Sequence, residues 1–356
     1  MTDIKDFLKK MISLPGLSGY EDPVREVIAE AWRPLVDELT VSKLGSLHGY
    51  RKGTGPEPRP RILLAAHMDA IGLMVTRVTP EGFIHFTEVG GVDPRILVST
   101  PVIVYGRREL PGIVAQPLDR VLPPSLKGSP VGLEHLIVDT GLPGDEVNAL
   151  VRPGDLISFA TEPLDLPGDL LAGHTLDNRA SVAAVTICLE ELKRAAPQWD
   201  VYAVATVQEE ETLAGALTSP FDIRPDIAVA IDVTFATGPG VRDYRGHGLG
   251  KGAVLAWGPN THPAVYDGFK DVAEQLDIPF EVEVYPRYSG TDAMGLQIVA
   301  EGIPTMVLSI PLRYMHTPVE VISHKDVQRA GHLLAQYILR LNPDSLAKIR
   351  WEEVTE

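Results

Sequence analysis

The chain has 356 residues, of which 44% are hydrophobic and 22% charged, so it has ample length for a buried core. Its net charge of -16 argues against a nucleic-acid partner and against docking on anionic membrane. No run approaches the length of a membrane span, so none is expected. The single cysteine, Cys188 in SVAAVTICLEEL, cannot close an intramolecular disulfide; it reads as a buried thiol that needs no oxidising compartment.

The first residues, MTDIKDFLKKMISLPG, place Ile4, Leu8, Met11 and Ile12 at helical spacing and lack the continuous apolar core of a signal peptide. The expected location is the cytoplasm. Asp22-Pro23 opens a helix over VREVIAEAW, with Asp22 as N-cap and Pro23 in the first turn. RILLAAH at 61–67 reads as a buried strand. From about residue 70 to about 166 the texture changes. GLMVTRVT, GFIHFTEV, TPVIVYG, PGIVAQP, EHLIVDT and PGDLISFA are short alternating runs divided by Pro and Gly, a β-rich pattern. Helix and strand then alternate. LDNRASVAAVTICLEELKRAA reads as a long amphipathic helix, WDVYAVATVQ and PDIAVAID as strands, and HPAVYDGFKDVAEQL as a helix. FEVEVYP is a strand, TDAMGLQIVAEG a helix, PTMVLSI a strand, and DVQRAGHLLAQYILRL a closing helix. The alternation predicts an α/β domain with a mixed, largely parallel sheet, built from 1–69 and 167–356 and interrupted by an inserted β-rich domain at 70–166.

Several metal-capable residues fall where these strands end. His67 and Asp69 close RILLAAH, Glu209 and Glu210 close VYAVATVQ, and Asp232 closes DIAVAI. His316 follows PTMVLSI, and Asp177 precedes a helix. In open α/β sheets the carboxyl edge is where ligands bind. Taken singly, each has an ordinary reading: His67 as a packed histidine, Glu209–Glu211 as a solvated turn, Asp177 as an N-cap. The joint pattern favours a metal centre. Imidazole and carboxylate suit zinc, cobalt or manganese. Two histidines and three acids are too many for one tetrahedral ion with an open position. They suit two divalent ions, each with one histidine, one terminal acid and a shared carboxylate. Four positive charges against three negative leave one to be matched by a hydroxide. His67 and Asp69 are two apart on extended chain and share a face, so Asp69 can orient the imidazole. Adjacent Glu209 and Glu210 diverge if the backbone stays extended; one can bind metal while the other moves protons, and Glu211 is left as a solvated spare. Without cations these acids repel one another, so bound metal should also stabilise the fold.

The motifs LLAAHMDAIGLMV, GHTLDNRA, TVQEEETLAGA, AIDVT, GTDA and GIPTMVLSIPLRYMHTPVE resemble, in order and over nearly the whole chain, those of the TET-type dinuclear aminopeptidases. That family contains glutamyl and deblocking aminopeptidases and relatives labelled endoglucanase M. The resemblance implies a zinc-exopeptidase type of sheet with an inserted β-barrel-like dimerisation domain. It implies zinc or cobalt, with His67 and Glu210 on one ion, Asp232 and His316 on the other, and Asp177 bridging. It assigns Glu209 as general base and Asp69 as support for His67. It also implies short peptides with free N-termini as substrates and a homo-oligomer built from dimers, up to a tetrahedral dodecamer. Glu211-Thr212 departs from the family pattern, as does Phe235, and residues after Asp232 are expected to wall the pocket for the first side chain. Near the same edge, Thr291 or Asp292 in SGTDAMG should cap a helix, while Arg313 and Glu320 read equally as supports of the centre or as solvated residues.

Other readings use the same residues differently. A dinuclear deacylase or carboxypeptidase would share the metal chemistry and differ only in the pocket. A glycosidase needs two spaced carboxylates but neither the histidines nor a shared acid. A non-catalytic assembly protein would be expected to have lost a ligand, and none is missing.

Overall fold

The computed structural model describes residues 3–118, 120, 122–126, 128, 130–241 and 245–349. Its centre is an 11-stranded sheet. Four strands at its heart run parallel: Asp200–Thr206, Arg61–His67, Ile227–Phe235 and Thr305–Arg313. Glu38–Val41 and Leu47–Arg51 extend one side; Glu320–Ser323, Leu170–Gly173 and Leu164–Leu166 extend the other. Ala253–Trp257 pairs with Thr305–Arg313 and carries Phe280–Val284 at its outer edge.

The central strands are apolar on both faces, as parallel strands covered by helices must be. Ile62, Leu64, Val229, Ile231, Met306 and Leu308 pack in the larger core with the helices Leu176–Arg194 and His324–Arg340. Leu63, Ala65, Val204, Ala228, Ala230 and Val307 face the opposite way, toward Ala214–Ile223 and Asp292–Gln297. Side chains alternate along a strand, so His67, Thr206 and Asp232 continue this second set and bring their polar groups to one face at one edge.

The six short alternating runs all become strands. Gly72–Val78, Ile84–Val89, Ile137–Asp139, Glu109–Ala115, Pro101–Tyr105 and Leu156–Phe159 close into a barrel around their own apolar core. Closure leaves no unpaired edge on this unit. Leu164–Leu166, which the sequence placed in the inserted segment, instead hairpins with Leu170–Gly173 in the large sheet. The turn between them uses Gly168 and Asp169 at positive φ, a tight return that the composition alone does not separate from barrel turns.

Three local expectations change. The helix Asp22–Trp32 starts one residue earlier than read, with Glu21 rather than Asp22 at the cap position and no side-chain cap. Glu21 instead accepts from the N–H groups of Gly19 and Gln208. Leu176–Arg194 is buried on nearly every side over its first three turns instead of being amphipathic, because it is sandwiched between the sheet and other helices. Cys188 is fully buried within it, as expected. Among the described residues no helix is long and apolar enough to cross a membrane.

Candidate metal centre

The four loops that leave the parallel strands converge. His67 ends its strand opposite Thr206 and is 1% exposed. Asp177 lies at the start of the Leu176–Arg194 helix, but its own backbone and that of Asn178 are not helical, and the peptide between them is cis. Gln208 takes a left-handed conformation, which turns the chain sharply after Val207 into a single helical turn, Glu209–Thr212. Glu209 and Glu210 therefore diverge through helical rotation and not through extended backbone as the sequence suggested. His316, also left-handed, follows the strand Thr305–Arg313.

Distances sort these side chains into groups. His67 Nε2 lies 3.2 Å from Asp177 Oδ1, 3.7 Å from Asp232 Oδ1 and 3.7 Å from Glu209 Oε2. His316 Nε2 lies 3.5 Å from Asp177 Oδ2 and 3.3 Å from Glu210 Oε2. The ligand atoms of His67, Asp177 and Asp232 lie within 4.8 Å of one another, as do those of Asp177, Glu210 and His316. Asp177 is common to both triads and offers a different oxygen to each histidine. A third group joins His67, Glu209 and Glu210. The two triads around Asp177 thus pair His67 with Asp232 and Glu210 with His316, not His67 with Glu210 and Asp232 with His316 as the resemblance implied. The reason is strand order: Arg61–His67 and Ile227–Phe235 are direct neighbours in the sheet.

Two buried carboxylates hold this arrangement from behind. Asp69, fully buried, accepts from the N–H groups of Glu209 (3.0 Å) and Glu210 (3.2 Å) and from the Ser18 hydroxyl; its Oδ1 lies 3.5 Å from His67 Nδ1. Glu320, 1% exposed, accepts from the N–H groups of Asp177 and His316, each at 3.1 Å. Of the two readings open for Glu320 from sequence, burial selects support of the centre. Arg313 does not join the site, since its Nε donates to Thr237 O at 2.7 Å near the surface. Thr291 caps Asp292–Gln297 through its hydroxyl, and Asp292, buried, accepts from Thr206 Oγ1. Ser18 had no signal in the sequence, because it comes from a loop remote in the chain. Glu211 is exposed but not a spare: its carboxylate accepts from Gly90 N–H at 2.6 Å. Next to that bond Gly91 lies against His316, where a Cβ would stand 3.1 Å from the ring Nδ1. The barrel therefore touches the centre.

The electrostatics suit cations. Burial, and then the neighbouring carboxylates, push Glu209 up to about 9 and Asp232 up to about 8, and raise Glu210 well above the usual carboxylate range. Burial also opposes the charge of Asp177, but hydrogen bonds with His316 and His67 outweigh it and hold that carboxyl below its usual range. Burial disfavours a charged His67, yet Glu209, Asp177, Asp69 and Asp232 together raise it. A buried cluster so acidic takes up protons unless cations replace them. Two imidazole nitrogens converging with three carboxylates form a donor set for borderline divalent ions, and the residues present fit such ions.

A model of the M42 glutamyl aminopeptidase family matches residues 45–333. The chain is 36% identical over 353 residues to a lysyl aminopeptidase of Pyrococcus furiosus, covering 95% of this chain and 97% of the relative. It superposes on an aminopeptidase from the archaeon Desulfurococcus kamchatkensis with a TM-score of 0.91 and 33% identity, covering 99% of each chain. It also matches the Pyrococcus horikoshii TET1 peptidase, described as assembling into a tetrahedron or a large octahedral shell, at a TM-score of 0.82 and 29% identity, covering 95% of this chain and 100% of that one. The chain belongs to the M42 glutamyl aminopeptidase family, a family of metal-dependent aminopeptidases.

Proposed function

We propose that His67, Asp177 and Asp232 hold one divalent ion and Asp177, Glu210 and His316 a second, with zinc or cobalt the best match, and that Glu209 is the general base in removing N-terminal residues from short peptides. The observation that carries this is Asp177, whose two oxygens face separate histidine–carboxylate triads. When bound, such ions supply Lewis acidity toward a peptide carbonyl and toward water.

The side chains then have separate tasks. Glu209 belongs to neither triad around Asp177 yet lies beside His67, where it can take a proton from water and return it to the leaving amine. Asp69 fixes the backbone of both glutamates and faces the ring of His67, so it positions base and ligands together. The exposed flank of His316 leaves the centre open on one side for a peptide.

The test is digestion of a peptide pool, each sequence present with a free and with an acetylated N-terminus, followed by mass spectrometry. The metal-loaded protein should shorten only the free peptides, one residue at a time, and a chelator should stop it. Glu209→Gln should lower kcat about 100- to 10,000-fold with metal content retained. Loss of acetyl groups or of C-terminal residues would instead favour the deacylase or carboxypeptidase reading. We also propose that the chain pairs through its barrel, and that such pairs build a larger shell like those of TET relatives. Light scattering should give a mass that is a multiple of two chains; a monomer counts against it.

A further inference from the structure

The face that carries the metal centre holds a second polar group that the proposed chemistry does not use. Thr234 lies two residues beyond Asp232 on the same strand and so shares its face. Its hydroxyl donates to Glu283 Oε2 at 2.5 Å, and the Tyr285 hydroxyl donates to the same oxygen at 2.8 Å. Glu281, two residues before Glu283 on the edge strand, is bonded at 2.8 Å to His247 Nδ1. His247 is 7% exposed and is held in place by backbone bonds to Phe235 and Thr237, directly after the Asp232 strand.

One nitrogen of this group has no partner. With Nδ1 bonded to the Glu281 carboxylate, Nε2 is the remaining polar atom of the ring. It is buried, has no hydrogen-bond partner, and sits 3.8 Å from Glu283 Oε2. A buried polar atom without a partner is costly until one comes beside it. Among the described residues neither Glu281 nor Glu283 has a lysine or arginine partner. Same-face neighbours on a strand are about 6.6 Å apart, a span that the stem of one long side chain covers from the centre to Thr234 and its partners.

We propose that Glu283, His247 and Glu281 form the subsite for the side chain of the substrate's first residue, and that it selects a cationic one, lysine or arginine. The ammonium or guanidinium donates to the Glu283 carboxylate, and the Glu281–His247 bond holds the imidazole beside it. An acidic first residue is disfavoured by the same two carboxylates. The proposal rests on the aminopeptidase reading.

The experiment measures kcat/KM of the metal-loaded protein on matched peptides that begin with Lys, Arg, Leu or Glu. The wild type should prefer Lys and Arg. Glu283→Gln should lower the Lys-to-Leu ratio of kcat/KM about 10- to 100-fold, mainly through KM. Glu281→Gln, on the more open carboxylate, should lower it in the same direction and serves if Glu283→Gln does not fold. A wild type that cleaves Leu peptides as well as Lys peptides overturns the subsite alone. So does a variant that slows all peptides equally, since that marks a structural prop for the edge strand. A wild type that cleaves none of the four overturns the aminopeptidase reading and the subsite with it.

Discussion

At the scale of single residues, the centre is shaped as much by what holds its ligands as by the ligands. Asp69 and Glu320 each bind two backbone N–H groups next to a candidate ligand, so the loops carrying Glu209, Glu210, Asp177 and His316 are fixed before any ion arrives. Away from the centre, His48 offers a clean test of burial. Its Nε2 is bonded to Ser219 Oγ at 2.9 Å, and burial lowers its proton affinity below the usual value of 6.5. The unfolded chain therefore binds a proton at a higher pH than the folded one. His48 costs nothing above about pH 6.5, and stability is lost as pH falls below that toward the folded value. Each unit of depression is worth about 1.4 kcal/mol. His48→Gln should therefore shrink the drop in melting temperature between neutral and mildly acidic pH, compared by calorimetry with wild type. An unchanged drop means the folded ring protonates freely.

At the scale of elements, period and punctuation made most of the fold legible. Alternating runs cut by Pro and Gly became barrel strands, and apolar runs ending in polar residues became the parallel core. The candidate ligands were legible for the same reason: a buried strand that stops on His or Asp is locally inconsistent unless something binds there. Other features could not be read. Ser18 and Glu320 reach the centre only through tertiary contacts, and His247 arrives on a loop with no motif of its own. The pairing of ligands depends on which strands are neighbours, and no single segment encodes that. The strands Leu47–Arg51 and Ala253–Trp257 are short and lack a strong alternating signal, so they emerge only as partners of longer ones. Tight helix packing is equally silent: Gly331 lets His324–Arg340 approach Leu176–Arg194 so closely that a Cβ would stand 2.5 Å from Ala184 O.

At the scale of the whole molecule, metal and fold are linked. Ions that bind only the folded chain stabilise it by mass action, about 2.7 kcal/mol for a site at a hundredfold excess over its Kd. Stripping the protein with a chelator should lower its melting temperature by several degrees, and zinc or cobalt should restore it. A melting temperature indifferent to chelation counts against buried ions at His67 and Asp177. The excess of acidic residues seen in the composition is thus partly local, concentrated where divalent cations would offset it.

The contact of Gly90 with Glu211, and of Gly91 with His316, bears on how this architecture can be altered. By chain order the barrel is a detour between the strand of His67 and the loop of Asp177, the sort of module an engineer would cut out to obtain a smaller enzyme. Excision would not return a simpler catalyst. It would remove the neighbour that packs on one imidazole and unclasp the turn that carries two glutamates. Grafting a barrel from a relative meets the same constraint: unless its own loop reaches position 211 and leaves room beside residue 316, the hybrid inherits a sheet with a loosened rim. The insertion and the sheet can therefore exchange parts only as a matched pair.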